Sequence, residues 1–203
     1  MTQSTSPANR INVPLLLGLF GFILLIAAAS AWYVQQNATA SPKEDSAEVG
    51  FARDMIVHHT QAVEMAIILY DRTENPTLKS IALDIILTQQ AQNGQMQGWL
   101  ALWEVPYASS DLPMTWMGMP TEGLMPGMAT EAQMAALREA EGVEGDLMFL
   151  ELMIAHHRSG IHMAESVLDK TNIPAVESLA RSIKEAQERE ITDMENLAAS
   201  LES

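Results

Sequence analysis

Two stretches of the chain, Met55-Ile56-Val57-His58-His59 with Met65-Ala66, and Met153-Ile154-Ala155-His156-His157 with Met163-Ala164, are one motif written twice at an offset of 98 residues. Four of the five histidines sit in these copies, and the chain has no cysteine. Imidazole nitrogen and thioether sulfur are the donors left to a soft-metal site when thiolates are absent. On a helix His58 and Met65, seven residues apart, differ in direction by only about 20°. Met55 lies about one turn earlier and points between the two histidines. Met55, His58 and Met65, with His59 at the edge, therefore make one inward face, and Met153, His156, Met163 and His157 make its copy. Packed about a pseudo-twofold axis, the two faces meet. Core packing is the competing role, because methionine fills apolar gaps well. It suits the histidines less, since adjacent imidazoles are costly to bury without partners.

A second constellation stands apart. Residues 105–129 read VPYASSDLPMTWMGMPTEGLMPGMA and carry Met114, Met117, Met119, Met125 and Met128. Copper(I) is soft and takes few ligands, and thioethers do not protonate, so this spacing resembles a copper(I)-holding methionine motif. A hydrophobic lid on the bundle is the equal alternative. A connection of this length is long for a compact bundle, and such loops are commonly functional or disordered.

The elements that must position these groups repeat with the motif. Aligning residues 51–98 with 149–196 without a gap gives fifteen identities, among them Phe51/Phe149, Thr73/Thr171, Pro76/Pro174, Gln89/Gln187 and Met96/Met194. That is an internal duplication. In each copy a bundle-type apolar stripe runs to a break before a proline, which opens a new helix well. The second helix of the first copy is expected from about Pro76 to Trp103. A short helix opened by Thr130, with Gln133 three residues on, has a capping-box signature and should end near Gly142 and Gly145. No alternating β-branched runs appear. Two hairpins with one apolar stripe each predict an all-α four-helix bundle over residues 48–203.

Residues 13–34 are apolar without one charge, long enough to span a bilayer, with Arg10 before them and Trp32 and Tyr33 at the far end. This predicts a cytoplasmic N-terminus at 1–12, a transmembrane signal anchor at 13–34, a polar tether at 35–47 and the bundle outside the cytoplasm. A cleaved signal is the alternative, with Ala29-Ser30-Ala31 or Ala38-Thr39-Ala40 as the cleavage sequence. The net charge of −15 makes nucleic acid a poor partner. Glu-x-x-His pairs of di-iron bundles, His-Glu-x-x-His and phosphate-binding loops are all missing from the sequence. His162 and its aligned Glu64 fall on the flank of the stripe, as solvated residues. Asp54, one turn before His58, is a candidate to orient that ring.

Phe51 to Ala66, Met125-Pro126-Gly127-Met128 through Met134, and Asp146 to Ala164 resemble the bacterial "domain of unknown function 305" family. The resemblance covers about residues 47–201. It implies a ferritin-like exported bundle, and the family includes CopM-like copper-binding proteins. Its motif carries over to Met55, His58, His59, Met65, Met153, His156, His157 and Met163. Two departures stand out: Gly160 replaces the aligned Ala62, and Arg158 sets a cation beside His157, which argues against that ring facing a metal. Together these readings predict a membrane-tethered, non-enzymatic protein of the cell envelope that sequesters or transfers copper(I) in copper tolerance, with a copper-transfer protein as candidate partner. The competing functions are a ferritin-like metal-dependent oxidase and a metal-free envelope interaction module.

Overall fold

The computed structural model describes residues 24–30, 32 and 41–203. Residues 24–30 are helical. The remainder of the expected anchor, apart from Trp32, and residues 35–40 of the tether lie outside the described residues. Among the described residues no helix is long and apolar enough to cross a membrane.

Residues 41–203 fold into α1 (Ala47–Arg72), α2 (Pro76–Leu102), a 3-10 turn (Thr115–Met117), α3 (Glu131–Glu139), α4 (Gly142–Leu168) and α5 (Pro174–Leu201). Among the described residues there is no strand. The start and stop chemistry is local. Ser46 caps α1 by accepting from the Val49 N–H, and Asn75 caps α2 by accepting from Thr77 and Leu78, with Pro76 in the first turn. The two hairpin turns are built alike. The Thr73 and Thr171 hydroxyls each accept a hydrogen bond from the backbone N–H two residues on, just before Pro76 and Pro174. This accounts for the identity of both threonines and both prolines across the repeat.

Thr130 and Gln133 form the expected capping box. The end of that helix differs from expectation. It stops at Glu139, and Gly142, at φ 58°, opens α4 instead of closing α3. Gly145 lies inside α4, where a Cβ would come within 3.0 Å of the Ala140 carbonyl oxygen. Glycine serves a tight entry into a helix as well as an exit.

Hairpin α1–α2 packs on hairpin α4–α5 mainly through α1 against α4. The core lies in two apolar blocks. One gathers Phe51 and Met55 of α1, Met96 of α2, Met163 of α4 and Ile183 of α5. The other gathers Met65 of α1, Ile85 of α2, Phe149 and Met153 of α4 and Met194 of α5. Burying each such side chain stabilises by about 1.5–3 kcal/mol. All four long helices pass from one block to the other at the same level. There the buried residues are polar: His58, His59, Gln89, Gln92, Asn93, His156, His157 and Gln187.

Candidate metal centre

The polar level carries both copies of the motif. His58, His59, His156 and His157 have no solvent exposure. The rings of His58 and His156 stack with centroids 3.6 Å apart and planes at 30°. Three of the four rings are held through Nε2. His156 donates to the His58 carbonyl oxygen at 2.9 Å, His59 to Gln92 Oε1 at 2.8 Å, and His157 to Glu190 Oε2 at 2.7 Å. A proton on Nε2 leaves Nδ1 with its lone pair. All four Nδ1 atoms are buried without a hydrogen-bond partner, as is His58 Nε2. The Pro126 carbonyl faces His58 outside hydrogen-bonding geometry and favours its protonated form only weakly.

Burial pushes the pKa of His58 down to about 3, with His59 and His157 adding to the effect, and burial does the same to His59. His156 is also driven well below its usual value, chiefly by burial and then by His58. These three rings are neutral at physiological pH, the state in which imidazole ligates a metal. Other unpartnered polar atoms accompany the rings. Both side-chain polar atoms of Gln89 and of Gln187, and Asn93 Oδ1, are buried and unpaired. Each such group costs about 1–3 kcal/mol. Among the described residues every buried, unpartnered side-chain polar atom belongs to this one level, so the cost is concentrated where the duplicated motif sits.

The motif methionines flank the rings. Met55 and Met163 lie in the block on one side, Met65 and Met153 in the block on the other, all four fully buried. Among the described residues no three His, Asp or Glu side chains gather as a ready-made cage. The donors are imidazole pairs and thioethers. That set fits a soft ion of low coordination number and fits poorly a hard ion that needs six oxygens.

The methionine connection is a lid on the first block. Met114 and Met125 are buried in it, Met117 and Met128 are half-buried against it, and Met119 is 46% exposed. Asp54 belongs to this lid, correcting the expectation that it orients His58. Its Oδ2 accepts from the Met114 N–H at 2.7 Å and from Trp116 Nε1–H at 2.8 Å. Burial raises the Asp54 pKa in spite of both bonds. Trp116 lies over Gly50, where a Cβ would meet the indole side chain at 2.5 Å. Gln61 grips Ala129 twice, accepting from its N–H at 2.6 Å and donating to its carbonyl at 2.8 Å. Gly127, at φ 77°, sits so close to α4 that a Cβ would come within 2.7 Å of the Ala155 carbonyl oxygen and 3.3 Å of His156 Cα.

Other expectations resolve individually. His59, placed at the edge of the stripe, is fully buried. Arg158 does not turn His157 away: it pairs with Glu195 on the surface while His157 stays inside. His162 is exposed, and Glu64 pairs with Arg138 at the surface. Gly160 makes room for Gln187, whose Oε1 would be 2.4 Å from a Cβ there. Gln92 and Glu190, which hold His59 and His157, were missed as partners. Their signal was a common spacing of 33 residues from the histidine, hidden because amide and carboxylate are not identical.

The family model described as "Domain of unknown function (DUF305)" matches residues 48–198, and the chain belongs to this family. No curated protein matches it. Among solved structures it is similar to a DUF305 protein of Streptomyces coelicolor named as secreted, with 47% identity, TM-score 0.76, and 79% of this chain and 97% of that one covered. A DUF305 fragment from Deinococcus radiodurans shares 35% identity with TM-score 0.63, covering 76% and 96% of the two chains. CopM in its Cu(II)-bound form shares 27% identity with TM-score 0.63, covering 76% and 97%.

Proposed function

We propose that this protein binds copper(I) in the histidine layer of a ferritin-like bundle, outside the cytoplasm, and sequesters it or passes it on in copper tolerance. The observation that carries the reading is the set of four buried, unpartnered Nδ1 atoms, three on rings fixed through Nε2 by protein acceptors. Fixing the far nitrogen is how proteins orient a metal-binding imidazole. His58, His59, His156 and His157 are the proposed nitrogen donors, with Met55, Met65, Met153 and Met163 offering sulfur from either side. Met114, Met117, Met119, Met125 and Met128 form a thioether-lined lid from the surface to the core block beside the rings. The likeness to CopM, solved in Cu(I)-bound and Cu(II)-bound forms, and to a relative named as secreted supports the reading. The reading is of a binding protein and not an enzyme, since rings with no solvent exposure suit holding an ion better than admitting a substrate. On this reading residues 13–34 tether the bundle to the membrane.

Anaerobic titration of the full chain with copper(I) against a chromophoric chelator, followed by X-ray absorption, tests the proposal. Stoichiometric uptake with nitrogen and sulfur scatterers is expected, reduced in His58→Ala/His156→Ala and in Met55→Leu/Met163→Leu. Absence of uptake by the wild-type chain, or uptake unchanged in both double variants, rejects it.

A further inference from the structure

We infer that the layer is built for one monovalent soft cation per chain and that Glu190 supplies its counter-charge. This rests on the reading of the layer as a metal centre and adds which ion charge it accepts and which residue decides that. A cation set among fully buried imidazoles, three of them neutral, meets a large desolvation penalty unless an anion is close by. Among the described residues Glu190 is the one carboxylate hydrogen-bonded to any of the four rings, through His157 at 2.7 Å.

The rest of the surroundings is neutral or committed elsewhere. The buried Glu48 and Asp146 each stand ten residues before the first histidine of their copy, about 15 Å along the helix. Asp54 directs Oδ2 at two lid donors. Gln89, Gln187, Gln92 and Asn93 carry no charge.

The duplication supplies an internal control. Gln92 aligns with Glu190 at the same offset of 98 residues and makes the same bond to the matching ring, His59. One half thus holds its imidazole with an amide oxygen, the other with a carboxylate oxygen. Glu190 is 17% exposed, so its charge is shielded from water without being sealed away. One negative charge neutralises one copper(I) or silver(I). A second monovalent ion, or a divalent ion such as zinc, would leave a positive charge buried without a second carboxylate on the rings to balance it.

The experiment compares wild-type full chain, Glu190→Gln, Gln92→Glu and the exchanged pair Glu190→Gln/Gln92→Glu, titrated anaerobically with copper(I) and silver(I), and with zinc(II). Glutamine at 190 keeps an acceptor for His157, so the ring keeps its orientation while the charge goes. The wild type is expected to take one monovalent ion, and Glu190→Gln to lose about 10–100-fold in affinity for it. The exchanged pair should recover most of that loss through His59, a rescue that a merely structural role for Glu190 would not give. Gln92→Glu alone should gain affinity for zinc(II). Wild-type affinity in Glu190→Gln, no recovery in the exchanged pair, or two equally tight monovalent ions in the wild type would each overturn the inference while leaving the metal centre standing. Failure of the wild type to bind either monovalent ion overturns both.

Discussion

The first half of the bundle holds the lid, and the second half holds one of its histidines with a carboxylate. Arg53, Asp54 and Gln61 of α1 each bond to the connection, at Pro106, at Met114 and Trp116, and at Ala129. Their aligned residues in α4 are Glu151, Leu152 and Ser159, and Ser159 meets the lid only as packing under Gly127. In return, the second half has Glu190 where the first has Gln92, and Gly160 with room for an amide where the first has Ala62. The histidines and flanking methionines were kept in both copies while the residues around them diverged. Divergence of the surroundings around an unchanged set of side chains is what specialisation of a duplicated motif produces.

The expected effect of largest size comes from the two histidines of the first half. The folded rings of His58 and His59 stay neutral down to about pH 3, whereas in the unfolded chain they take up protons below about 6.5. Stability from this source is complete above pH 6.5 and is lost progressively as pH falls toward 3. Between pH 6.5 and 5 each ring should remove about 2 kcal/mol, at roughly 1.4 kcal/mol per pH unit. Urea unfolding at pH 7 and pH 5 measures it, and a flat profile would mean the rings are not buried neutral in solution.

Next come the two seats of the lid. Gly127→Ala should destabilise by about 2–3 kcal/mol, since φ is positive and the obstacle on α4 is backbone. Asp54→Ala should cost about 1–3 kcal/mol by leaving two donors unpaired, and should make residues 105–129 more sensitive to limited proteolysis. Equal proteolysis of wild type and variant would show that Asp54 does not seat the lid. The smallest effect sharpens the contrast between the halves directly. Gly160→Ala should change stability by less than about 1 kcal/mol, because the helix gain of alanine is offset by displacing the flexible end of Gln187. Ala62→Gly should cost about 1 kcal/mol with nothing to offset it. Matching values from thermal unfolding would erase the distinction.

The legible features were the ones written twice. Helix starts at Pro76 and Pro174 and the burial of the paired histidines follow from local chemistry repeated at a fixed offset, and the single capping box at Thr130 follows from its own four-residue signature. Gly142 was misread because positive φ is used at both ends of helices. Asp54 was assigned to the nearest histidine, while its partners lie sixty residues on, in a segment whose path no periodicity dictates. Gln92 and Glu190 are not identical across the repeat, so the shared spacing that makes them partners of His59 and His157 does not stand out among the identities.

The two apolar blocks each draw side chains from all four long helices, with the polar level between them. Neither ancestral half therefore owns a core. A chain severed between α3 and α4 should yield pieces that are unstructured apart and regain helicity only when mixed, so this protein is two interlocked copies and not two linked ones.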